Sequence, residues 1–187
     1  LGWGDDKFVL LSTRGWSPIY GVEDLARAFA QAARQRPELR LFMLGNGPLA
    51  PKIRQIFNSA GVQDKVHFPG LVNQNDLPRY YRAADLYISS SHSDGTSISL
   101  LEALASGSPV LLTDIPGNQE WVTTPGEVGW LFRDGDVNSL REGILRALDH
   151  REQLPAMGQA ARQLAETRAN WEKNFPKLFE AYRLALS

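Results

Sequence analysis

Four short runs are apolar at every position: Phe8-Val9-Leu10-Leu11, Leu41-Phe42-Met43-Leu44, Leu86-Tyr87-Ile88 and Val110-Leu111-Leu112. A strand with one wet face alternates apolar and polar residues, whereas a strand covered on both faces does not. These runs therefore predict buried strands of a parallel sheet. Val66-His67-Phe68 and Gly129-Trp130-Leu131-Phe132 are weaker candidates. Between the runs the period becomes helical. Leu25, Ala28, Phe29 and Ala32 recur at i, i+3, i+4 and i+7, behind Glu23 and Asp24, which suit the positive end of a helix. Ile53, Ile56 and Phe57, then Leu77, Tyr80 and Tyr81, and later Ile144, Ala147 and Leu148 repeat that spacing. Strands alternating with helices predict an α/β fold, a doubly wound and mainly parallel sheet of about five or six strands. From Arg151 onward the pattern is helical only, with Pro155 and Pro176 expected near the starts of segments, because a proline inside a helix removes a hydrogen bond. Trp171, Phe175, Phe179 and Tyr182 recur at helical spacing and read as a core-facing stripe.

Turn residues follow most of the predicted strands: Gly45-Asn46-Gly47-Pro48, Pro69-Gly70, Asp94-Gly95 and Ile115-Pro116-Gly117. In a parallel sheet these turns gather at one edge, the edge at which ligands bind. Composition narrows what binds there. With 20 Lys plus Arg against 21 Asp plus Glu the net charge is -1, which argues against nucleic acid as a partner. Cysteine is absent, so thiolate nucleophiles, disulfides and iron–sulfur clusters are excluded. No apolar run approaches the roughly 20 residues of a membrane span. The chain opens on Leu1 instead of Met, as a fragment would.

The richest polar segment is Ser90-Ser91-His92-Ser93-Asp94-Gly95-Thr96-Ser97, which leads into a helical run carrying Ser99 and Glu102. A helix start offers free N–H groups to an anion, and a carboxylate one turn in can accept from a vicinal diol. Ser99-x-x-Glu102 is also the spacing of a capping box, and on local chemistry alone that reading is preferred. Ser91, His92 and Asp94 suggest a hydrolase triad. Sequence neighbours rarely meet in the required geometry, however, and no G-x-S-x-G elbow is present. The three histidines, His67, His92 and His150, form no ligand-spaced pair, so no metal is expected. Gly45-Asn46-Gly47 lacks the third glycine of a dinucleotide fingerprint and follows the second strand, not the first.

Several spaced motifs together resemble the group 1 glycosyltransferases of the two-Rossmann-domain (GT-B) type. Asp94 and Glu102 match an acid, seven residues, then Glu; Ala103-Leu104-Ala105-Ser106-Gly107-Ser108-Pro109-Val110 matches A-x-A-x-G-x-P-V. The first strand with Arg14, the Gly45 turn, Phe68-Pro69-Gly70, Leu77-x-x-Tyr80-Tyr81-x-x-Ala84-Asp85 and the Trp171 segment extend the likeness along nearly the whole chain. The resemblance implies a Rossmann-like half of a GT-B enzyme that binds a nucleotide-diphosphate sugar, as used in polysaccharide biosynthesis. Glu102 would bind the ribose, Asp94 the sugar, and Gly95, Thr96 and Ser97 the sugar or diphosphate. Arg14 would neutralise the diphosphate, and Gly45, Gly47, Leu71 and Val72 would border the base. No cofactor or metal is implied.

The resemblance further implies residues 1–165 as the donor-binding domain and 166–187 as a tail helix crossing to an N-terminal domain, which the chain lacks. It implies transfer with retention by the parent enzyme, an inactive isolated domain, and a cytoplasmic location in which the absent domain provides any contact with a membrane. Two departures stand out. The first acid is Asp94 where the family has Glu, and Tyr20 stands before Gly21 where the family has Lys. The lost cation keeps a second reading open, a non-catalytic nucleotide-sugar-binding or regulatory module. A nucleotide-sugar epimerase of the same fold is a third reading.

Overall fold

The computed structural model describes residues 2–4 and 6–186. Strands β1 (Phe8–Ser12), β2 (Leu39–Met43), β3 (Val66–His67), β4 (Leu86–Ser89), β5 (Val110–Thr113) and β6 (Gly129–Phe132) form one sheet. Their order is β3-β2-β1-β4-β5-β6, and every pair is parallel. Helices α1 (Val22–Gln35), α2 (Ala50–Ala60), α3 (Leu77–Ala83), α4 (Ile98–Ala105), α5 (Pro116–Gln119) and α6 (Val137–Asp149) lie between strands or follow them. Helices α7 (Leu154–Arg168) and α8 (Trp171–Leu186) close the chain.

The unbroken apolar runs have the cause expected of them. Successive strand residues face opposite ways, so Leu10, Leu41, Ile88 and Leu111 enter one layer with α1, α2 and α6. Leu11, Phe42, Tyr87 and Leu112 enter the other, with α4 and α7 and with Tyr81 of α3. Strand order reverses between β1 and β4, so the loops leaving these two neighbours part to opposite faces and open a crevice at the strand ends.

Three readings of the sequence are corrected. Pro176 lies inside α8, where it forgoes the bond to the carbonyl of Glu172, and not at a segment start. The α8 stripe faces no core: Trp171 is 71% exposed and no residue of the helix is buried. Both sheet faces are already covered, so its rings pack on one another instead, Trp171 on Phe175 at 4.9 Å and Phe175 on Phe179 at 5.2 Å. The third correction concerns α4. Its N-cap is Ser97, whose Oγ accepts from Leu100 N at 3.2 Å, and not Ser99. Ser99 lies inside the first turn, so Glu102 is too far along to close a capping box.

The junction of α3 and β4 is tied to β1 by a half-buried carboxylate. Asp85 Oδ2 accepts from Val9 N at 2.7 Å, and burial pushes its pKa above the ordinary 3.8.

Two stability outcomes are expected. Ser97→Ala should cost about 1 kcal/mol in denaturant titrations, the usual worth of an N-cap, while Glu102→Ala, which would remove the carboxylate of a capping box, costs no cap. The reverse pattern would restore the capping box. At Asp85, the unfolded chain ionises at lower pH than the folded one, so this group destabilises the fold increasingly as pH rises above 3.8. Asp85→Asn should match or exceed the native stability at neutral pH and flatten that pH dependence. A large loss at neutral pH would contradict this.

Candidate functional site

A cavity of about 530 Å³ opens at the crevice between β1 and β4. Thr13, Arg14 and Tyr20 reach it from the loop after β1, Gly45 from the loop after β2, and Leu71 and Val72 from the segment after β3. Asp94, Thr96 and Ser97 come from the loop after β4, and Ile98, Ser99 and Glu102 from α4.

Arg14 is the only basic residue among those lining the cavity. Its side chain is 11% exposed, and a guanidinium so covered needs partners. Nη2 pairs with Asp94 Oδ2 at 2.5 Å, and Nη1 donates to Ser99 Oγ at 2.9 Å. The guanidinium lies 4.4 Å from the centroid of the Tyr20 ring, a cation–π contact. Nε is buried and has no hydrogen-bond partner among the described residues. Of the five N–H donors of the guanidinium, Asp94 and Ser99 take two.

The loop carrying Asp94 is anchored on the turn carrying Tyr20. Ser90 Oγ donates to Tyr20 O at 3.0 Å, and His92 N donates to Ile19 O at 2.9 Å. Gly21 makes this approach possible: its φ is +57°, and a Cβ there would lie 2.0 Å from Ser90 O. His92 turns away from Asp94. Its Nδ1 meets Asp134 at 2.6 Å, and its Nε2 is 3.7 Å from Asp24, whose pKa burial raises. Because Asp94 turns to Arg14 and His92 to these other acids, Ser91, His92 and Asp94 form no relay.

On the far side of the loop, Trp121 Nε1 donates to Thr96 Oγ1 at 3.1 Å. Glycine at 117 lets this turn close against the loop, since a Cβ there would lie 2.7 Å from both Asp94 O and Gly95 O.

Glu102 projects from α4 into the cavity wall. Its Oε2 accepts from Tyr81 OH at 3.0 Å. Tyr87 OH donates to the same Ser99 Oγ that receives Arg14, at 3.0 Å. Burial pushes both phenols above their ordinary pKa, so both remain donors. Nothing in the sequence had singled out Tyr81, Tyr87, Ser99 or Thr13 for these contacts. The Tyr80-Tyr81 pair and a tyrosine within a buried strand were the available signals.

Of the expected site residues, Arg14, Tyr20, Gly45, Leu71, Val72, Asp94, Thr96, Ser97 and Glu102 line this one cavity, and Gly47 and Gly95 do not. Gly47 packs on the backbone of Trp16, where a Cβ would sit 2.4 Å from its carbonyl oxygen, so a close turn requires that glycine. Gly95 lies in the loop between Asp94 and Thr96, with nothing near its missing Cβ except open space. Leu71 and Ile98 flank the opening and are 83% and 76% exposed. Among the described residues no group of three or more His, Asp or Glu side chains is arranged to hold a metal. No helix among them is long and apolar enough to cross a membrane.

The chain is 29% identical over its full length to a D-inositol 3-phosphate glycosyltransferase of Thermobispora bispora, of which it covers 45%. It is 32% identical over 59% of its length to an alpha-monoglucosyldiacylglycerol synthase of Streptococcus pneumoniae, covering 25% of that protein. It thus spans less than half the length of either relative. Among solved structures, sucrose-phosphate synthase of Thermosynechococcus elongatus superposes with a TM-score of 0.84 at 28% identity, over 97% of this chain and 46% of that one. The fold of HepE from Anabaena, solved in complex with UDP, superposes at 0.86 with 22% identity, over 95% of this chain and 49% of that one. The family model for glycosyl transferases group 1 matches residues 1–164, and the chain belongs to that family.

Proposed function

We propose that this chain is the nucleotide-sugar-binding half of a retaining glycosyltransferase, and that its cavity holds a nucleoside diphosphate sugar. The observation that supports this most strongly is Arg14, fixed at the start of α4 by Asp94 and Ser99 as the one basic residue lining the cavity. A diphosphate lying across this point meets a guanidinium fork and the N–H groups of the first turn of an eight-residue helix. Glu102, one turn further along, accepts from the ribose hydroxyls. The base borders Gly45, Leu71 and Val72.

In the resting protein Asp94 is the partner of Arg14. A diphosphate competes for that guanidinium, and Asp94 is then free to accept from hydroxyls of the donor sugar. Transfer breaks the bond between the anomeric carbon and the diphosphate and forms a bond to an acceptor hydroxyl. Arg14 and the α4 N-terminus stabilise the charge that grows on the leaving diphosphate, without a metal. The acceptor and the second cleft wall belong to an N-terminal domain, on which the exposed stripe of α8 packs. The isolated chain binds donor without turning it over.

A second reading, a binding module without transfer, draws support from the charge of the lining. It holds one cation and two carboxylates, Asp94 and Glu102, with Tyr20 where a Lys is usual. Transfer assayed in the full-length parent separates the two readings.

Titration calorimetry with UDP, GDP and ADP tests the donor site. Arg14→Ala should weaken the preferred diphosphate by about one to two decades, the worth of a charged hydrogen bond at roughly 1.5–3 kcal/mol. It should leave the matching nucleoside unchanged, and Tyr20→Lys should tighten the diphosphate. Equal affinity of the native chain and Arg14→Ala at matched salt would assign Arg14 a purely structural pairing with Asp94.

A further inference from the structure

We propose that Tyr81 is a positioning residue, turning Glu102 into a fixed acceptor for a vicinal diol and so selecting ribonucleotides over deoxyribonucleotides. The proposal rests on reading the cavity as a nucleoside diphosphate site. It follows from the hydrogen-bond bookkeeping around one phenol.

Tyr81 OH has one proton and lies near three oxygens: Glu102 Oε2 at 3.0 Å, Ser99 O at 3.2 Å and Thr13 Oγ1 at 3.4 Å. The carboxylate and the carbonyl only accept, whereas the threonine hydroxyl can donate. Ser99 O already belongs to the ladder of α4, where the residue four positions on donates to it. The carboxylate is the nearer acceptor and the charged one, so the phenol proton points to Glu102. Thr13 then donates to the phenol oxygen. The chain runs one way, from Thr13 through Tyr81 to Glu102, and ends on an anion at the cavity wall.

The ring cannot swing to another partner cheaply. Tyr81 is 2% exposed and packs on Tyr87 with centroids 5.8 Å apart. With Oε2 held from behind by a rigid side chain, the carboxylate keeps one rotation, and Oε1 is the oxygen left for a ligand. A carboxylate held this way presents acceptors and no donor, which suits two adjacent hydroxyls. Losing the tether frees Glu102 to turn, and the geometry that distinguishes a diol from a single hydroxyl is lost. Arg14 is held by the separate contacts to Ser99 and Asp94, so diphosphate affinity as such does not depend on Tyr81.

The test is titration calorimetry of the native chain, Tyr81→Phe and Glu102→Gln with UDP, GDP and ADP, each beside its 2′,3′-dideoxy analogue, with a thermal melt of every protein. The native chain should prefer the ribose form of whichever base binds, and Glu102→Gln should abolish that preference. Tyr81→Phe should lower the preference about tenfold, the scale of one ordinary hydrogen bond, with affinity for the dideoxy analogue unchanged. Should Tyr81→Phe fold too poorly to titrate, Thr13→Val removes the hydroxyl behind the phenol and should reduce the same ratio by a smaller factor. An unchanged ratio in Tyr81→Phe, or equal weakening of both ligands, overturns the proposal and leaves Tyr81 a structural residue. Equal binding of the ribose and dideoxy forms by the native chain, with Glu102→Gln indifferent, overturns this proposal alone, whereas no binding of any of the diphosphates overturns the reading of the cavity and this proposal with it.

Discussion

In a sheet whose six strands all run the same way, every strand ends on the same edge, and the loops that leave it must share that edge. At the reversal between β1 and β4 two neighbouring loops depart to opposite faces and leave a gap between them. Arg14 follows β1 directly into this gap. Its charge is too covered to be left to water, and the partners it finds are the ones that build the cavity: Asp94 from the loop after β4, Ser99 from α4, and the face of Tyr20. The helix start and the course of the Asp94 loop both meet that guanidinium, through Ser99 and Asp94.

The departures from the family pattern have physical consequences within this frame. Tyr20 adds no charge, but its ring supports the guanidinium, and the turn it belongs to is clamped to the Asp94 loop through Ser90 and His92. The shorter acid, Asp94, pairs with Arg14 at 2.5 Å, in a loop against which Gly21 and Gly117 let neighbouring backbone pack closely. The outcome is a cavity with a single positive group and two carboxylates, one of which, Asp94, is paired with that positive group.

Strands and layers were legible in the sequence because burial on both faces leaves a mark that does not depend on partners: a run such as Val110-Leu111-Leu112 has few other uses. The cavity residues were legible through the spacing of Asp94 and Glu102 and the place of Arg14 at a strand end. What sequence alone does not carry is which of several equivalent hydroxyls does a given job. Ser97 and Ser99 both fit a helix start, and only backbone geometry makes Ser97 the cap. The aromatic spacing of α8 is the same whether it faces a core or open space, and here the core was already closed by other helices. Tyr81 and Tyr87 looked like ordinary apolar positions because their rings are exactly that; their hydroxyl groups meet Glu102 and Ser99 only once α3, β4 and α4 are assembled.

The central claim is that the first turn of α4 and Arg14 together form an anion site at the strand ends. Amide hydrogen exchange with and without a saturating nucleoside diphosphate tests it without any substitution. The account predicts slowed exchange confined to the amides of the Asp94 loop, the first turn of α4 and the Gly45 and Leu71 segments, with α1, α6 and α7 unchanged. Slowing concentrated instead in the outer groove between Phe42, His67 and Tyr80, with the start of α4 unaffected, would contradict it.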